Sequence, residues 1–161
     1  MERRHRGNLA GEHRLSDIGQ LTLYCLFMAL WISDMSLKYS NFLNAYIPSA
    51  VRLPVGVLPL IIAGYMAGSG LMIVFNKKTQ SGGVIRKGVF RFVRHPIYLS
   101  EILMYGGLLI LNFSLAAAFI LVIAVLFLHH ISRYEEKLLL EKFGDEYRQY
   151  MKEVPMWFPR F

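Results

Sequence analysis

The sequence is nearly free of cysteine, with Cys25 as the one thiol in 161 residues. A single cysteine forms neither an internal disulfide nor a multi-cysteine metal site. We therefore predict a small buried side chain at this position and no bound metal ion. Zinc-module and helix-turn-helix patterns are also missing, as is a basic face interleaved with base-stacking aromatic rings. Nucleic-acid binding is not expected, despite a net charge of +7.

Apolar residues are abundant instead. They make up 55% of the chain, against about 45–50% in an ordinary soluble domain, and the mean hydropathy is +0.38. The excess is concentrated in long runs that contain few charges. Because a chain of this length forms one domain, we predict a single integral membrane domain over residues 1–161.

Four apolar runs set the expected architecture. A helix needs about 20 apolar residues to cross a hydrocarbon layer of about 30 Å; the last two runs are somewhat short for that. No signal-peptide cleavage site follows the first run, so we expect it to be retained. The sequence predicts an all-α, polytopic membrane protein with four transmembrane helices, at about 18–37, 53–75, 97–111 and 115–143.

The connections complete this prediction. Residues 76–96 are polar and glycine-bearing and form a loop, whereas only residues 112–114 separate the last two helices, which predicts an antiparallel hairpin. Gly144 is a natural end for the fourth helix, and residues 145–161 form a cap that contains a short helix. In the second run, the spacing of Gly64 and Gly68 predicts a close approach to another helix.

Basic residues mark one side of the predicted bundle. Sixteen of the eighteen Lys and Arg lie before the first run, between the second and third runs, or after the fourth run. Four spans place these three segments on the same side, which the positive-inside rule makes cytoplasmic. We therefore expect both termini in the cytoplasm. The absence of eukaryotic targeting features favours a prokaryotic inner membrane.

Two polar clusters are expected to meet on that side. The first is the stretch from Arg94 to Tyr98 (RHPIY), which opens the third helix, with Glu101 one turn later. One interpretation is an interfacial anchor in which Arg94 binds phospholipid headgroups. A carboxylate at the edge of the hydrocarbon, however, usually faces a polar cavity or a partner.

The second cluster lies where the fourth helix leaves the membrane, and it contains His129, His130, Arg133, Glu135 and Glu136. Helical spacing puts His129, Arg133 and Glu136 on one face. The two adjacent histidines point apart, so they make a poor shared metal site. Taken alone, the composition favours the interpretation of the glutamate pair as a solvated helix face.

Together, the clusters resemble those of the isoprenylcysteine carboxyl methyltransferase and phospholipid methyltransferase superfamily of membrane enzymes. The similar stretches are residues 88–98 (GVFRFVRHPIY) and, after the hairpin, residues 135–155 (EEKLLLEKFGDEYRQYMKEVP). The likeness covers about half the chain, from Val84 to the end, and the N-terminal half matches in hydropathy alone. The resemblance implies a methyltransferase that uses S-adenosylmethionine at the membrane surface.

The resemblance also implies where the cofactor lies, between the last two membrane helices and beneath the cytoplasmic segments. Backbone N–H groups near glycines and at a helix start suit its carboxylate. A glutamate suits its ammonium or ribose hydroxyls, and aromatic faces suit its sulfonium and adenine. The implied cofactor-binding residues are Gly82, Gly83, Val84, Ile85, Phe90, His95, Pro96, Ile97, Tyr98 and Glu135.

The chemistry needs little further machinery. Methyl transfer from a sulfonium is an in-line displacement that depends on alignment and desolvation, so neither a nucleophilic triad nor a metal is required. We expect the methyl acceptor to be a lipophilic or small carboxylate, thiol or amine. Membrane lipids are expected as further partners of the protein. The acceptor-side catalytic candidates are Glu136, Arg133 and Glu101. An amine acceptor would need Glu136 or Glu101 as a base.

Two departures from the superfamily pattern bear on the substrate. Superfamily enzymes that methylate prenylated cysteine carry an arginine where this chain has Ile131, and the superfamily glutamine before the glycine loop falls on Phe75. Both departures weaken the case for a prenylcysteine substrate. Two alternatives to this function stay open. One is a non-catalytic membrane scaffold or sensor that retains the fold, and the other is a nicotinamide-dependent membrane reductase.

Overall fold

The computed structural model describes residues 14–76 and 83–157, and every regular element in these ranges is helical. The all-α prediction is therefore confirmed for the described residues. Single turns of 3₁₀-helix, Phe42–Ala45 and Gly88–Arg91, lie in the first two long connections. The α-helices are α1 (Arg14–Leu37), α2 (Ser49–Val74), α3 (Pro96–Leu111), α4 (Leu115–Phe143) and α5 (Asp145–Glu153).

Three helices in the described residues are long and apolar enough to cross a membrane, over Ser16–Leu37, Ser49–Val74 and Leu115–Phe143. Helix α3 is apolar as well, but it has 16 residues. It is therefore about 24 Å long, against a hydrocarbon thickness of about 30 Å. The prediction of a helical membrane protein is supported, whereas the count of four transmembrane helices stays a prediction.

Helix α2 packs along α3, and α1 packs along α4. A core forms between them where the rings of Phe27 and Tyr105 lie 4.7 Å apart between centroids. A close backbone approach joins α2 and α3. A Cβ added to Gly107 would lie 2.8 Å from the Gly56 carbonyl oxygen, so only glycine fits there. This contact lets two apolar helices pack with little space between their backbones.

Two sequence predictions about α1 and α2 are wrong. A Cβ placed on Gly64 or on Gly68 would meet no atom of the described residues within 4 Å, so the close approach lies at Gly56 instead. Cys25, predicted to be buried, is exposed on α1. Both errors have one cause. In a membrane helix the outward face is as apolar as the inward face, so hydropathy does not reveal which residues face a neighbour.

A glycine sets the angle between α4 and α5. Gly144 has φ +55° and ψ −125°, a backbone conformation that other residues adopt only under strain. Its N–H donates to the Leu140 carbonyl at 2.9 Å and ends α4, as predicted. Because α5 begins at Asp145, this one residue determines how the C-terminal segment folds back onto the bundle.

Replacing Gly144 with alanine is expected to lower the stability of the protein by about 1–3 kcal/mol, because the added Cβ makes this backbone strained. No atom of the described residues lies within 4 Å of that Cβ, so the loss would come from backbone strain alone. Thermal unfolding in detergent measures it. The matched control is Gly106→Ala, inside α3 and equally uncrowded, which should be neutral or slightly stabilising because alanine favours a helix more than glycine does. Equal melting temperatures for both variants would contradict the expectation.

Candidate functional site

The loop before α3 is fastened to the C-terminal segment through its backbone. The Arg94 N–H donates to the Pro155 carbonyl at 2.9 Å, and the His95 N–H donates to the Met156 carbonyl at 3.2 Å. Pro96 follows as the first residue of α3, where its missing N–H costs no helical bond. These contacts fix the chain direction at the start of α3, and with it the positions of the two side chains before the proline.

Arg94 forms a buried ion pair with Glu136 of α4. The two side chains are 9% and 4% exposed. Nε and Nη2 of Arg94 lie 2.8 and 2.7 Å from the same carboxylate oxygen, Oε1 of Glu136. Nη1 donates to the carbonyls of Met151 and Val154. One guanidinium therefore joins α4 to the C-terminal segment, and its burial does not fit the interpretation of Arg94 as an exposed headgroup anchor.

The His95 ring lies between two carboxylates. Its Nδ1 is 3.6 Å from Oε2 of Glu135, and its Nε2 is 3.4 Å from Oε1 of Glu136. The Tyr98 hydroxyl donates to Oε1 of Glu135. The rings of Tyr98 and His95 stack, with centroids 5.7 Å apart and planes inclined by 11°. The two clusters that the sequence places far apart therefore face each other.

The remaining cofactor candidates are more dispersed. Ile97 packs against Gly70 of α2, and Ile85 is half-buried in the loop. The Phe90 carbonyl accepts a hydrogen bond from the Tyr150 hydroxyl at 2.6 Å. Gly82 lies outside the described residues.

Gly83 and Val84 lie against a carboxylate of α5. The Val84 N–H donates to Oε1 of Glu146 at 2.9 Å, and a Cβ on Gly83 would lie 2.7 Å from that oxygen. The glycine therefore allows a carboxylate to approach the backbone closely, as expected for a glycine-bearing loop whose N–H groups bind a carboxylate. In this structure the carboxylate belongs to the protein itself.

The acceptor-side candidates are not brought together. Glu136 is buried, whereas Arg133 is exposed on α4, so these two do not share an environment. Glu101 is half-buried on α3 and accepts a hydrogen bond from the Tyr105 hydroxyl at 3.0 Å. Among the three, Glu136 alone belongs to the cluster around His95.

A groove lies one helical turn deeper than Tyr98, between α1 and α3. Its volume is about 340 Å³, and Glu101, Asp17, Gln20 and Tyr24 are among its lining residues. The groove places Glu101 beside α1 rather than beside α4. Its walls contain two carboxylates and apolar side chains, so it can hold an amphiphilic molecule.

Three residues at the cluster were not identified from the sequence. Ser132 and Trp157 carry buried polar atoms, Oγ and Nε1, that have no hydrogen-bond partner among the described residues. Ser132 precedes Glu136 by one helical turn, and Trp157 meets the His129 ring edge-on, with centroids 5.4 Å apart. Ser16 of α1 is buried next to Tyr98. Helical spacing from Glu136 is a signal that could have identified Ser132, whereas the other two depend on tertiary packing.

Helix α5 closes over the loop. Arg86 pairs with Glu153 at 3.0 Å and donates to the Glu146 carbonyl at 2.7 Å. Its guanidinium lies 5.5 Å from the centre of the Tyr150 ring. Burial raises the pKa of the Tyr150 phenol further above its ordinary value, which already lies well above neutral pH, so this hydroxyl remains a hydrogen-bond donor to the loop. The loop, α5 and the end of α4 thus form one continuous wall around the cluster.

In the described residues, three helices that are long and apolar enough to cross a membrane, with a cluster of charged and aromatic groups at one end, define the chain as a helical membrane protein with a polar site at one end of its helices. The family model described as phospholipid methyltransferase matches residues 60–146, more than half of the chain and both polar clusters. The chain belongs to the phospholipid methyltransferase family. The site of this chain is therefore compared with methyltransferases.

Three curated relatives are informative. The protein-S-isoprenylcysteine O-methyltransferase of Schizosaccharomyces pombe is 35% identical over 54% of this chain and 37% of its own length. The enzyme of the same name from Saccharomyces cerevisiae is 37% identical over 61% of this chain and 42% of its own length. Methanethiol S-methyltransferase 1 of Bradyrhizobium diazoefficiens is 37% identical over 44% of this chain and 24% of its own length. The chain therefore matches less than half the length of each of these relatives.

Proposed function

We propose that the chain is a membrane-embedded methyltransferase that takes its methyl group from S-adenosylmethionine. The observation that carries the proposal is the meeting of Tyr98 and His95 with Glu135 across the α3–α4 interface. The family membership and the methyltransferase names of the relatives support it.

The residues present suit this cofactor. The Glu135 side chain is 18% exposed, so one partly accessible carboxylate is held in place by Tyr98 and His95 and can accept bonds from an ammonium or a ribose diol. Ser132 Oγ and Trp157 Nε1, which have no hydrogen-bond partner among the described residues, add two hydrogen-bonding groups that a cofactor could satisfy. The stacked rings of His95 and Tyr98 offer an aromatic face to a sulfonium or an adenine.

When bound, the cofactor supplies an electrophilic methyl group. The protein has to position it, exclude water and admit the acceptor. In this proposal Glu135 and the loop before α3 bind the cofactor, and α5 covers it. Arg94 and Glu136 act as positioning residues, since their ion pair holds the loop, α4 and the C-terminal segment together.

The groove between α1 and α3 is our candidate path for the acceptor. Its lining residue Glu101 lies one helical turn from Tyr98, and the carboxylates of Asp17 and Glu101 favour an amine or a neutral acceptor over an anionic one. With an amine acceptor, Glu101 would take the proton released on methylation. With a thiolate or carboxylate acceptor no base is needed. A lipophilic or small acceptor fits the apolar walls.

The membrane arrangement follows the same proposal. If α3 crosses the bilayer as the fourth span, with α4 as its hairpin partner, both chain ends lie on the side of the Glu135 cluster. The basic flanking segments make that side cytoplasmic. We propose the inner membrane of a prokaryote as the location.

A cofactor screen tests the function. Purified protein in detergent is heated with S-adenosylmethionine, with NADPH, or with neither. We expect S-adenosylmethionine to raise the melting temperature by several degrees, because a ligand that binds the folded state stabilises it by mass action. A shift with NADPH alone would favour a reductase. No shift with either cofactor at millimolar concentration would favour a non-catalytic protein and contradict the proposal.

A further inference from the structure

A second cavity lies at the other end of the bundle. Its volume is about 730 Å³, and it is walled by the end of α1, the connection to α2, the start of α2 and the end of α3. The Ala116 N–H, at the start of α4, donates to Ser40 Oγ beside it at 3.1 Å. From there α4 rises about 30 Å to Glu136. The cavity is therefore separate from the proposed methyl-transfer site.

Two cations line this cavity, Lys38 and Arg52. They are the only Lys or Arg between residues 15 and 76 of the sequence, and the fold brings both to one place. No carboxylate of the described residues lines the cavity. Asp34 on α1 is fully buried, and its oxygens accept from the N–H and the hydroxyl of Ser40. Among the described residues, the cavity lining therefore contains two cations and no carboxylate, while the carboxylate of the nearby Asp34 is bound by Ser40.

The Arg52 guanidinium is held in a fixed position. Its Nε donates to the Ile47 carbonyl at 3.0 Å, and its Nη1 donates to Asn44 Oδ1 and to the Leu111 carbonyl, each at 2.7 Å. A guanidinium has five N–H donors, so Nη2 retains two donors without a partner among the described residues. Asn44 is itself bound to Asn112 Oδ1 at 2.6 Å. Hydrogen bonds within the protein thus hold the Arg52 guanidinium in place.

Lys38 occupies an unfavourable backbone conformation. Its φ is +56°, and its N–H donates to the Asp34 carbonyl at 2.9 Å. This is the position after a helix end where glycine or asparagine is usual. A lysine there costs folding energy, and such strain is found most often at functional sites. The charge of the side chain, rather than the backbone conformation, therefore explains why a lysine occupies this position.

The residues around this cavity favour an amphiphilic ligand. Trp31, Met35 and Leu53 supply apolar walls, and the exposed rings of Phe42 and Tyr46 are typical of the depth at which lipid headgroups begin. We propose that the cavity binds one anionic phospholipid. Lys38 and Arg52 hold the phosphodiester by charge-assisted hydrogen bonds, and the apolar walls contact the upper acyl chains.

Native mass spectrometry of the full chain from mixed micelles tests this. The probes are phosphatidylglycerol, phosphatidylcholine and inorganic phosphate. Wild type should retain one phosphatidylglycerol in preference to phosphatidylcholine. Lys38→Gly should reduce that affinity about tenfold, and Lys38→Arg should preserve it. Inorganic phosphate should not displace the lipid, because it lacks the acyl chains.

The controls separate this site from general attraction to basic segments. Lys38→Gly relieves the backbone strain, so its melting temperature without lipid should equal or exceed that of wild type. Arg91→Gln removes an exposed charge from the loop before α3 and should leave lipid retention unchanged. Equal retention by wild type and Lys38→Gly would overturn the proposal. So would a loss of similar size in Arg91→Gln, or complete displacement of the lipid by inorganic phosphate.

Discussion

Glu135→Ala is expected to weaken S-adenosylmethionine binding by roughly 10- to 100-fold, because a partly buried carboxylate that binds a charged or hydroxyl donor contributes about 1.5–3 kcal/mol and leaves its partners unsatisfied when removed. The protein should remain folded. Glu135 contacts Tyr98 and His95, whereas the buried ion pair that joins α4 to the C-terminal segment uses its neighbour, Glu136. Isothermal titration calorimetry in detergent measures the change.

Glu141→Ala is the matched control for this prediction. Glu141 is exposed on the same helix, nearly two turns further on, and its removal should leave the affinity unchanged. Glu135→Gln adds a second comparison, since it keeps the shape and removes the charge. An affinity for the Glu135→Ala variant equal to that of wild type would assign the cofactor to another part of the chain.

Arg94→Met is expected to destabilise the protein by about 3–5 kcal/mol, since it leaves the buried Glu136 carboxylate without its cation. It also removes the donors to the Met151 and Val154 carbonyls, so the C-terminal segment should detach more readily. Thermal unfolding measures the first effect, and the rate of proteolysis after Lys152 measures the second. The matched control, Arg91→Met, changes an exposed arginine of the same loop and should cost little.

The double variant Arg94→Met/Glu136→Leu distinguishes charge burial from loss of packing. Replacing both members of a buried pair with apolar residues is often neutral, so the double variant should recover much of the stability of wild type. It should still transfer methyl groups poorly, because the loop before α3 would no longer be held against α4. A double variant as unstable as Arg94→Met alone would show that the ion pair is not the source of the effect.

The sequence predicts the presence of each helix better than it predicts where the helix begins and which helices pack against it. The end of α4 was predictable, since Gly144 is the residue that a helix end requires. The start of α2 was not, because the helix begins at Ser49 after an extended Pro48, four residues before the apolar run. Apolar runs indicate what contacts lipid, whereas helix ends depend on local hydrogen bonding.

The residues of the site were identifiable from the sequence, whereas the contacts between them depend on the fold. The RHPIY stretch and the glutamate pair were identifiable from their residue types. The pairing of Arg94 with Glu136 joins residues 42 positions apart, and the Arg94 contacts to the C-terminal segment are equally remote in sequence. Such contacts depend on helix packing, so no local pattern predicts them. The same reason explains why Ser16 and Trp157 were missed.

The most direct test of the central claim is an experimental structure of the chain with S-adenosylmethionine bound in a lipid environment. The account predicts the cofactor between the start of α3 and the end of α4, with a hydrogen bond to the Glu135 carboxylate and the His95 and Tyr98 rings beside it. A bound cofactor in another part of the molecule, with no contact to the Glu135 carboxylate, would contradict the account.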